Sequence, residues 1–290
     1  MRKNMIKEEA NYLLGVMRDA LYAAFQVHEK LGEKGCERMS NGLNQFGDSP
    51  LVLDWEAEEA VLKSLRLSGI PIRVFSEEHG MVEIGEPPYG YTGFLDGIDG
   101  SYVCLHEYGV GRYATMFAIF RGEDPTYGDA LVSGIMEHAT ERMFLAIKGG
   151  GAFIEKNEER MPLGVSSCTE LNAETRIYTD VYTPLEQKVY EKKWARKPWR
   201  VTMDTHCASI DYTDLLLGDA DVVTEALGKK QDIEKLVAYL LVIEAGGVMI
   251  DWLGESLENK RCLAPGTEES IMIAASSMAL AQELRAYIIL

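Results

Sequence analysis

The chain begins with two stretches in which apolar residues recur at helical spacing, and it continues with short apolar runs of the β type. The first stretch predicts a helix over residues 7–31 that ends at Gly32. The second predicts a helix that begins near Asp54, a carboxylate that we expect to cap it. The later β-type runs are joined by connections too short for crossover helices, which favours an antiparallel meander. The predicted strands cover residues 70–75, 91–95, 113–121, 130–137, 142–147 and 152–154.

From about residue 174 the pattern changes to short strands that alternate with helices. The predicted strands lie at 177–178, 200–203, 222–223, 248–250 and 271–275. The predicted helices lie at 185–195, 208–217, 233–245 and 278–289. This succession predicts an α+β half over residues 1–170 and an α/β half over residues 171–290, which together form one continuous unit.

Composition and net charge indicate which classes of molecule the chain can bind. With 47% apolar and 26% charged residues, the 290-residue chain has the composition of a globular protein. Its net charge of −17 repels a phosphate backbone, so we expect no nucleic-acid partner. A phosphorylated small substrate would also be repelled unless a divalent cation reverses the local charge.

The sequence predicts a soluble cytoplasmic protein without a membrane partner. No apolar run approaches the roughly 20 residues of a membrane span, and Glu8 and Glu9 interrupt any signal-peptide core. The cysteine count is odd and there is no Cys-x-x-Cys pair, which argues against a disulfide framework and against a zinc site. The five cysteines are Cys36, Cys104, Cys168, Cys207 and Cys262.

Acidic residues gather where predicted strands end or a helix begins. The three groups are Glu77 with Glu78, Asp96 with Asp99, and Asp232 with Glu234. Each group alone also fits an ordinary structural role, as a solvated strand end or as first-turn acids of a helix. Together they would repel one another unless a cation holds them, and hard oxygen ligands favour magnesium or calcium.

The most informative segment is Asp96-Gly97-Ile98-Asp99-Gly100-Ser101. Two carboxylates three residues apart, flanked by glycines, can present a backbone carbonyl and a helix-start amide to a metal and a phosphate. The Asp-x-Asp-x-Asp-Gly spacing of a calcium loop is absent.

This segment resembles the Asp-Pro-Ile/Leu-Asp-Gly-Thr signature of the inositol monophosphatase family, the magnesium-dependent, lithium-sensitive phosphatases that include fructose-1,6-bisphosphatases. Four other segments resemble family motifs in the same order, and the resemblance covers residues 8–288. They are Phe75-Ser76-Glu77-Glu78, Gly149-Gly150-Gly151-Ala152-Phe153, Glu244-Ala245-Gly246-Gly247-Val248 and Ile273-Ala274-Ala275-Ser276.

The resemblance implies a layered αβαβα sandwich, often a homodimer, that hydrolyses phosphate monoesters with two or three Mg²⁺ ions. The implied metal ligands are Glu77, Asp96, the Ile98 carbonyl, Asp99, and Asp232 or Glu234. Ser101, supported by Asp54, and Glu77 would orient the attacking water. The implied substrate contacts are Asp99, Gly100, Ser101, His206, Cys207, Ala208 and Glu225.

Three of the departures from the family pattern bear directly on the predicted metal site. Gly97 replaces proline, which we expect to loosen the turn, and Ser101 replaces threonine. The family's Trp-Asp before the long helix is missing, so Asp232 and Glu234 both stay open as ligands, and side-chain type slightly favours Asp232.

The expected substrate is a small phosphorylated polyol or sugar, inositol monophosphate and/or fructose-1,6-bisphosphate. The alternatives are a nucleotide 3′-phosphatase of the same superfamily and a non-catalytic relative that binds a sugar phosphate or a metal.

Overall fold

The structure is a computed structural model of the chain. It describes residues 2–40, 44, 49–157, 159–180, 184–194, 197, 199–203, 207–225, 229–230, 233–262, 269–270 and 272–289.

Two long helices form the first layer, α1 (Arg2–Leu31) and α2 (Val52–Ser68). A short 3₁₀ turn, Gly32–Cys36, follows α1. The N-cap residue of α2 is Leu51, so the prediction that Asp54 caps this helix is wrong. Asp54 lies inside the first turn, where its carboxylate accepts hydrogen bonds from a different segment of the chain.

Eight strands form a large sheet in the order β2-β1-β3-β4-β5-β6-β7-β8. Every pair is antiparallel except β1 with β3, so the predicted antiparallel meander is confirmed from β3 to β7 but does not extend to the pairing of β1 with β3. The sequence did not predict β2, in which two of the five residues are exposed and one is buried, or β8, which is exposed throughout. The strands are β1 (Ile72–Ser76), β2 (Gly80–Ile84), β3 (Tyr91–Asp99), β4 (Ala114–Arg121), β5 (Ala130–Glu137), β6 (Arg142–Ile147), β7 (Gly151–Lys156) and β8 (Glu159–Pro162).

The second half contains a smaller mixed sheet and most of the remaining helices. Its strands β9 (Arg176–Asp180), β10 (Arg200–Met203), β11 (Val222–Glu225), β13 (Val248–Asp251) and β15 (Met272–Ala275) lie in the order β10-β9-β11-β15-β13. A separate pair joins β12 (Lys229–Lys230) and β14 (Glu269–Ser270). The helices are α3 (Ser101–Glu107), α4 (Pro184–Lys193), α5 (Ala208–Leu217), α6 (Ile233–Glu244) and α7 (Met278–Ile289). The division predicted at residue 170 falls between β8 and β9 and stays a prediction.

Three buried clusters stack these elements into five layers. In the first, Leu13 and Val61 of the α1–α2 layer pack with Phe117 of the large sheet. In the second, α5 and α6 lie between the two sheets, and residues 235–242 of α6 are buried without interruption. In the third, Leu284 of α7 covers the outer face of the small sheet. The order helix, sheet, helix, sheet, helix confirms the predicted αβαβα sandwich.

One cysteine pair contradicts the expectation from the cysteine count. Cys36, after α1, forms a disulfide with Cys104 in α3, while Cys168, Cys207 and Cys262 are free. An odd count leaves room for one pair, and a separation of 68 residues gives no local sequence signal. Among the described residues, no helix is both long enough and apolar enough to cross a bilayer.

Candidate active site

A bulge at the end of β3 points two carboxylates the same way. Asp96 pairs with Met116 of β4 and Asp99 pairs with Ala114, so three steps on β3 oppose two on β4. On a regular strand, residues three apart face opposite sides of the sheet, but one extra residue in a bulge restores a common face. This is why the side chains of Asp96 and Asp99 converge.

A third carboxylate joins them from a distant part of the chain. Glu234, in the first turn of α6, places one carboxylate oxygen so that it and one oxygen each from Asp96 and Asp99 all lie within 4.8 Å of one another. Asp232, the alternative ligand, lies outside the described residues.

The buried carboxylates have properties that fit a bound cation. Asp96 is 2% exposed, and its Oδ1 has no hydrogen-bond partner among the described residues. Burial, followed by the charges of Glu77, Asp99 and Glu234, raises the pKa of Asp96 well above its usual range. An unpartnered buried oxygen among like charges is costly, and a divalent cation would remove that cost.

Glu77 belongs to the same charged group. Burial, together with the charges of Glu58, Glu78 and Asp99, raises the pKa of Glu77 from 4.5 to about 8, although a hydrogen bond with Asp96 lowers it. Glu77 immediately follows β1, which pairs with β3 in parallel, so the two acidic turns leave the same edge of the sheet.

The N-terminus of α5 holds Asp99. The backbone N–H of Ser209 donates to Asp99 Oδ2, and the Cys207 thiol lies 3.2 Å from the same oxygen. Burial, followed by the charge of Asp99, raises the pKa of the Cys207 thiol well above its usual range, which disfavours the thiolate form that a nucleophile needs. Gly100 has a left-handed backbone (φ 92°), and a Cβ there would lie 2.7 Å from Cys207 Sγ.

Asp54 connects α2 to the turn after β3. Its Oδ1 accepts the N–H of Ile98 at 2.9 Å, and its Oδ2 accepts the hydroxyl of Ser101 at 3.1 Å. The Ser101 hydroxyl also lies 3.0 Å from the Ile98 carbonyl oxygen. Asp54 is buried, and this burial, followed by the charges of Glu77 and Glu78, raises its pKa well above the usual range.

Gly97 lies where α2 packs closely against this turn, and the expected loosening of the turn stays a prediction. A Cβ at Gly97 would lie 2.4 Å from the backbone carbonyl oxygen of Asp54 and 2.8 Å from Cγ of Glu58. The absence of a side chain therefore lets α2 approach the turn more closely than any other residue would allow. On the opposite side, the Thr115 hydroxyl donates to the Gly97 carbonyl at 2.7 Å.

The structure describes only some of the remaining residues that were predicted to contact substrate. Cys207 and Ala208 stand at the beginning of α5, next to Asp99. Glu225 ends β11 opposite Asp180, but its side chain is outside the described part of the chain. His206 is also outside the described residues.

Sequence reasoning missed two residues that contact the acidic turns. Glu58 lies one helical turn after Asp54, is fully buried, and accepts hydrogen bonds from the turn that carries Glu77. Asn44 donates to Glu78 Oε1 at 3.3 Å. An acidic residue four positions after Asp54, on the face of α2 that bears its apolar residues, was a signal for Glu58; no comparable signal exists for Asn44.

Converging carboxylate oxygens beside a hydroxyl held by a buried aspartate are groups that a metal-dependent hydrolase uses. Comparisons with known proteins agree. A family model described as the inositol monophosphatase family matches residues 16–286. The fructose-1,6-bisphosphatase/inositol-1-monophosphatase of Thermococcus kodakarensis is 29% identical over 263 residues, covering 89% of this chain and 91% of that protein. The protein of the same name from Methanocaldococcus jannaschii is 24% identical over 217 residues, covering 75% and 77%.

Solved structures show the same fold. Extragenic suppressor protein SuhB from Bartonella henselae superposes with a TM-score of 0.73 at 18% identity, covering 95% of this chain and 98% of that chain. An inositol monophosphatase from Zymomonas mobilis superposes with a TM-score of 0.69 at 18% identity, covering 96% and 97%.

The chain belongs to the inositol monophosphatase family, since the family model spans nearly all of it. It is therefore a metal-dependent phosphatase that acts on small phosphorylated molecules.

Proposed function

We propose that this enzyme is a magnesium-dependent phosphatase of a small phosphorylated polyol or sugar, inositol monophosphate and/or fructose-1,6-bisphosphate. The observation that carries the proposal is the convergence of carboxylate oxygens from Asp96, Asp99 and Glu234. One of these residues, Asp96, also has a buried Oδ1 without a hydrogen-bond partner among the described residues. The names of the two archaeal relatives support the substrate class.

The proposed metal ligands are oxygen atoms throughout, as magnesium prefers. They are Glu77, Asp96, the Ile98 carbonyl, Asp99 and Glu234. When bound, two magnesium ions would lower the pKa of a water molecule and neutralise charge on the phosphate and the leaving oxygen. The unpartnered Oδ1 of Asp96 and the raised pKa values of Asp96 and Glu77 support this ligand set.

The protein's own groups would orient the reacting water. Asp54 Oδ2 accepts the proton of the Ser101 hydroxyl, which leaves the Ser101 oxygen to accept a hydrogen bond from water. The Glu77 carboxylate is proposed to accept a second one, so that the water oxygen is aimed at the phosphorus. The amides of Gly100 and Ser101 are proposed to bind the phosphate oxygens.

Between the two alternative ligands at α6, the geometry supports Glu234. The Glu234 carboxylate lies beside those of Asp96 and Asp99, as a metal ligand must, whereas Asp232 lies outside the described residues. Glu234→Ala should raise the magnesium requirement and depress turnover. Asp232→Ala should leave both within a few-fold of wild type. The reverse result would return the ligand role to Asp232.

A phosphate-release assay over a panel of inositol, sugar and nucleotide phosphates, with Mg²⁺ and with EDTA, tests the function. We expect release from inositol monophosphate or fructose-1,6-bisphosphate with Mg²⁺ and none with EDTA. Preference for a nucleotide 3′-phosphate would support the alternative enzyme. Binding without turnover across the panel would indicate the non-catalytic relative.

The cytoplasmic location, the homodimer and the halves 1–170 and 171–290 remain proposals that rest on the sequence. The Cys36–Cys104 disulfide is buried, and thiol exchange needs access, so the bond is protected from small thiols in a cytoplasm. Light scattering after gel filtration tests the homodimer.

A further inference from the structure

Glu58 is a buried carboxylate of α2 whose two oxygens both accept hydrogen bonds. Within the described part of the chain, none of these bonds goes to the bulge of β3 or to the first turn of α6. Glu58 is 0% exposed. Its Oε1 accepts the N–H of Glu77 at 3.0 Å. Its Oε2 accepts the N–H of Glu78 at 3.1 Å, lies 2.9 Å from His79 Nδ1, and accepts the hydroxyl of Ser76.

These four donors come from four consecutive residues, Ser76 to His79, where β1 ends. Beyond the last ladder pair of β1 the amides of this turn need other acceptors. The Glu58 carboxylate supplies them, and the N–H of Glu77 is shared with the Leu95 carbonyl at 3.0 Å. The backbone position of Glu77 is therefore set by a side chain of α2.

One turn earlier on the same helix, Asp54 holds the acidic turn after β3 in the same way. Its carboxylate accepts hydrogen bonds from the N–H of Ile98 and the hydroxyl of Ser101. Residues four apart lie on one helix face. A single face of α2 thus holds both turns that carry carboxylates, and the close packing at Gly97 keeps that face against the site.

The charge of Glu58 works against this arrangement, because it lies among other carboxylates and raises the pKa of Glu77. A neutral residue would avoid the repulsion. A carboxylate is nevertheless suited to the position because it offers about four acceptor sites and no donor. Glutamine would turn an NH₂ group towards at least one of the four donors.

We propose that Glu58 is a positioning residue that sets the magnesium affinity of the site by fixing the turn that carries Glu77. The proposal rests on the proposed function, in which Glu77 is a metal ligand. Glu58 contacts neither metal nor substrate in this scheme, and a bound magnesium ion would itself hold the Glu77 carboxylate in place. Loss of Glu58 should therefore weaken metal binding and leave turnover at saturating magnesium nearly intact.

The test compares Glu58→Gln with wild type by calorimetric titration with MgCl₂ alone and by phosphate release against magnesium concentration. We expect the magnesium dissociation constant and the activation constant to rise about 10- to 100-fold, as for other residues that support metal ligands. We expect kcat at saturating magnesium to stay within about threefold of wild type.

Asp221→Asn is the matched control. Asp221 is also a buried carboxylate that accepts several hydrogen bonds, from Ser166 and from Arg176, but it lies in the small-sheet half, away from the acidic turns. This variant should lose stability without any change in the magnesium constants. A folded Glu58→Gln protein with wild-type magnesium constants would overturn the proposal.

If Glu58→Gln does not fold, Ser76→Ala removes one donor and keeps the carboxylate. It should raise the same constants by about threefold or more, and no change would overturn the proposal. Wild type that binds magnesium but releases no phosphate would refute the proposed function alone, since calorimetry still reads the effect of Glu58. Wild type that binds no magnesium would refute both.

Discussion

Removing metal should make the stability of this protein fall as the pH rises. In the metal-free protein Glu77 has a pKa of about 8 against 4.5 for an ordinary glutamate. Between these values the folded protein holds a proton that the unfolded chain has lost, so the free energy of unfolding decreases with increasing pH. The stabilising effect of this group is fully present below about pH 4.5 and is gone above about pH 8.

The size of the effect follows from the two pKa values. At about 1.4 kcal/mol per pH unit, the difference between 4.5 and about 8 amounts to about 5 kcal/mol. Glu77 is partly exposed, so solvent screening makes this an upper limit. Asp54 and Asp96 act in the same direction, because burial raises their pKa values as well.

Thermal unfolding in EDTA at pH 5 to 8 measures the effect, and saturating Mg²⁺ is the comparison. At roughly 2 °C per kcal/mol for a chain of this size, the metal-free midpoint should fall by up to about 10 °C. Magnesium should restore it, and by more at pH 8 than at pH 5, because the proposed carboxylate ligands would bind the ion in their ionised form. Glu77→Gln imitates the protonated state and should flatten the metal-free profile. A metal-free midpoint that is constant or rises over this range would refute the reasoning.

Four further variants test the packing at Gly97, the disulfide and the metal site. Gly97→Ala places a Cβ 2.4 Å from the backbone oxygen of Asp54 and should cost about 1–3 kcal/mol in urea unfolding, with a loss of turnover. Gly15→Ala, in α1 with no heavy atom within 4 Å, should instead stabilise by up to about 1 kcal/mol, and equal effects would contradict the close approach at Gly97. Cys104→Ser opens a disulfide that closes 68 residues and should lower the free energy of unfolding by about 2–4 kcal/mol; unchanged stability would show that the bond does not form. Asp99→Asn should keep the wild-type circular dichroism spectrum and lower kcat by two to three orders of magnitude, roughly the loss seen when a preorganised charge contact is removed, and near-normal kcat would remove Asp99 from the metal site.

Local patterns were sufficient where an element is strongly apolar or bounded by clear stop signals. The predicted limits of 130–137, 142–147, 200–203, 208–217 and 278–289 agree with β5, β6, β10, α5 and α7. β2 and β8 were missed because both are short edge strands that bury at most one residue, so neither has that pattern. The acidic turn at the end of β3 was also located from the sequence alone, since glycines flank Asp96 and Asp99.

The sequence by itself determined the identity and order of the acidic turns and, through five motifs in order, the family. Only the tertiary structure decided which carboxylates meet. Glu234 reaches Asp96 because α6 is packed between the two sheets, and Glu58 reaches Glu77 because Gly97 lets α2 come close. Periodicity reports which face of one element is apolar, but contacts between elements distant in the chain depend on how several layers pack at once. The disulfide between Cys36 and Cys104 has the same origin, because two cysteines 68 residues apart are paired by the packing of their helices and not by their spacing.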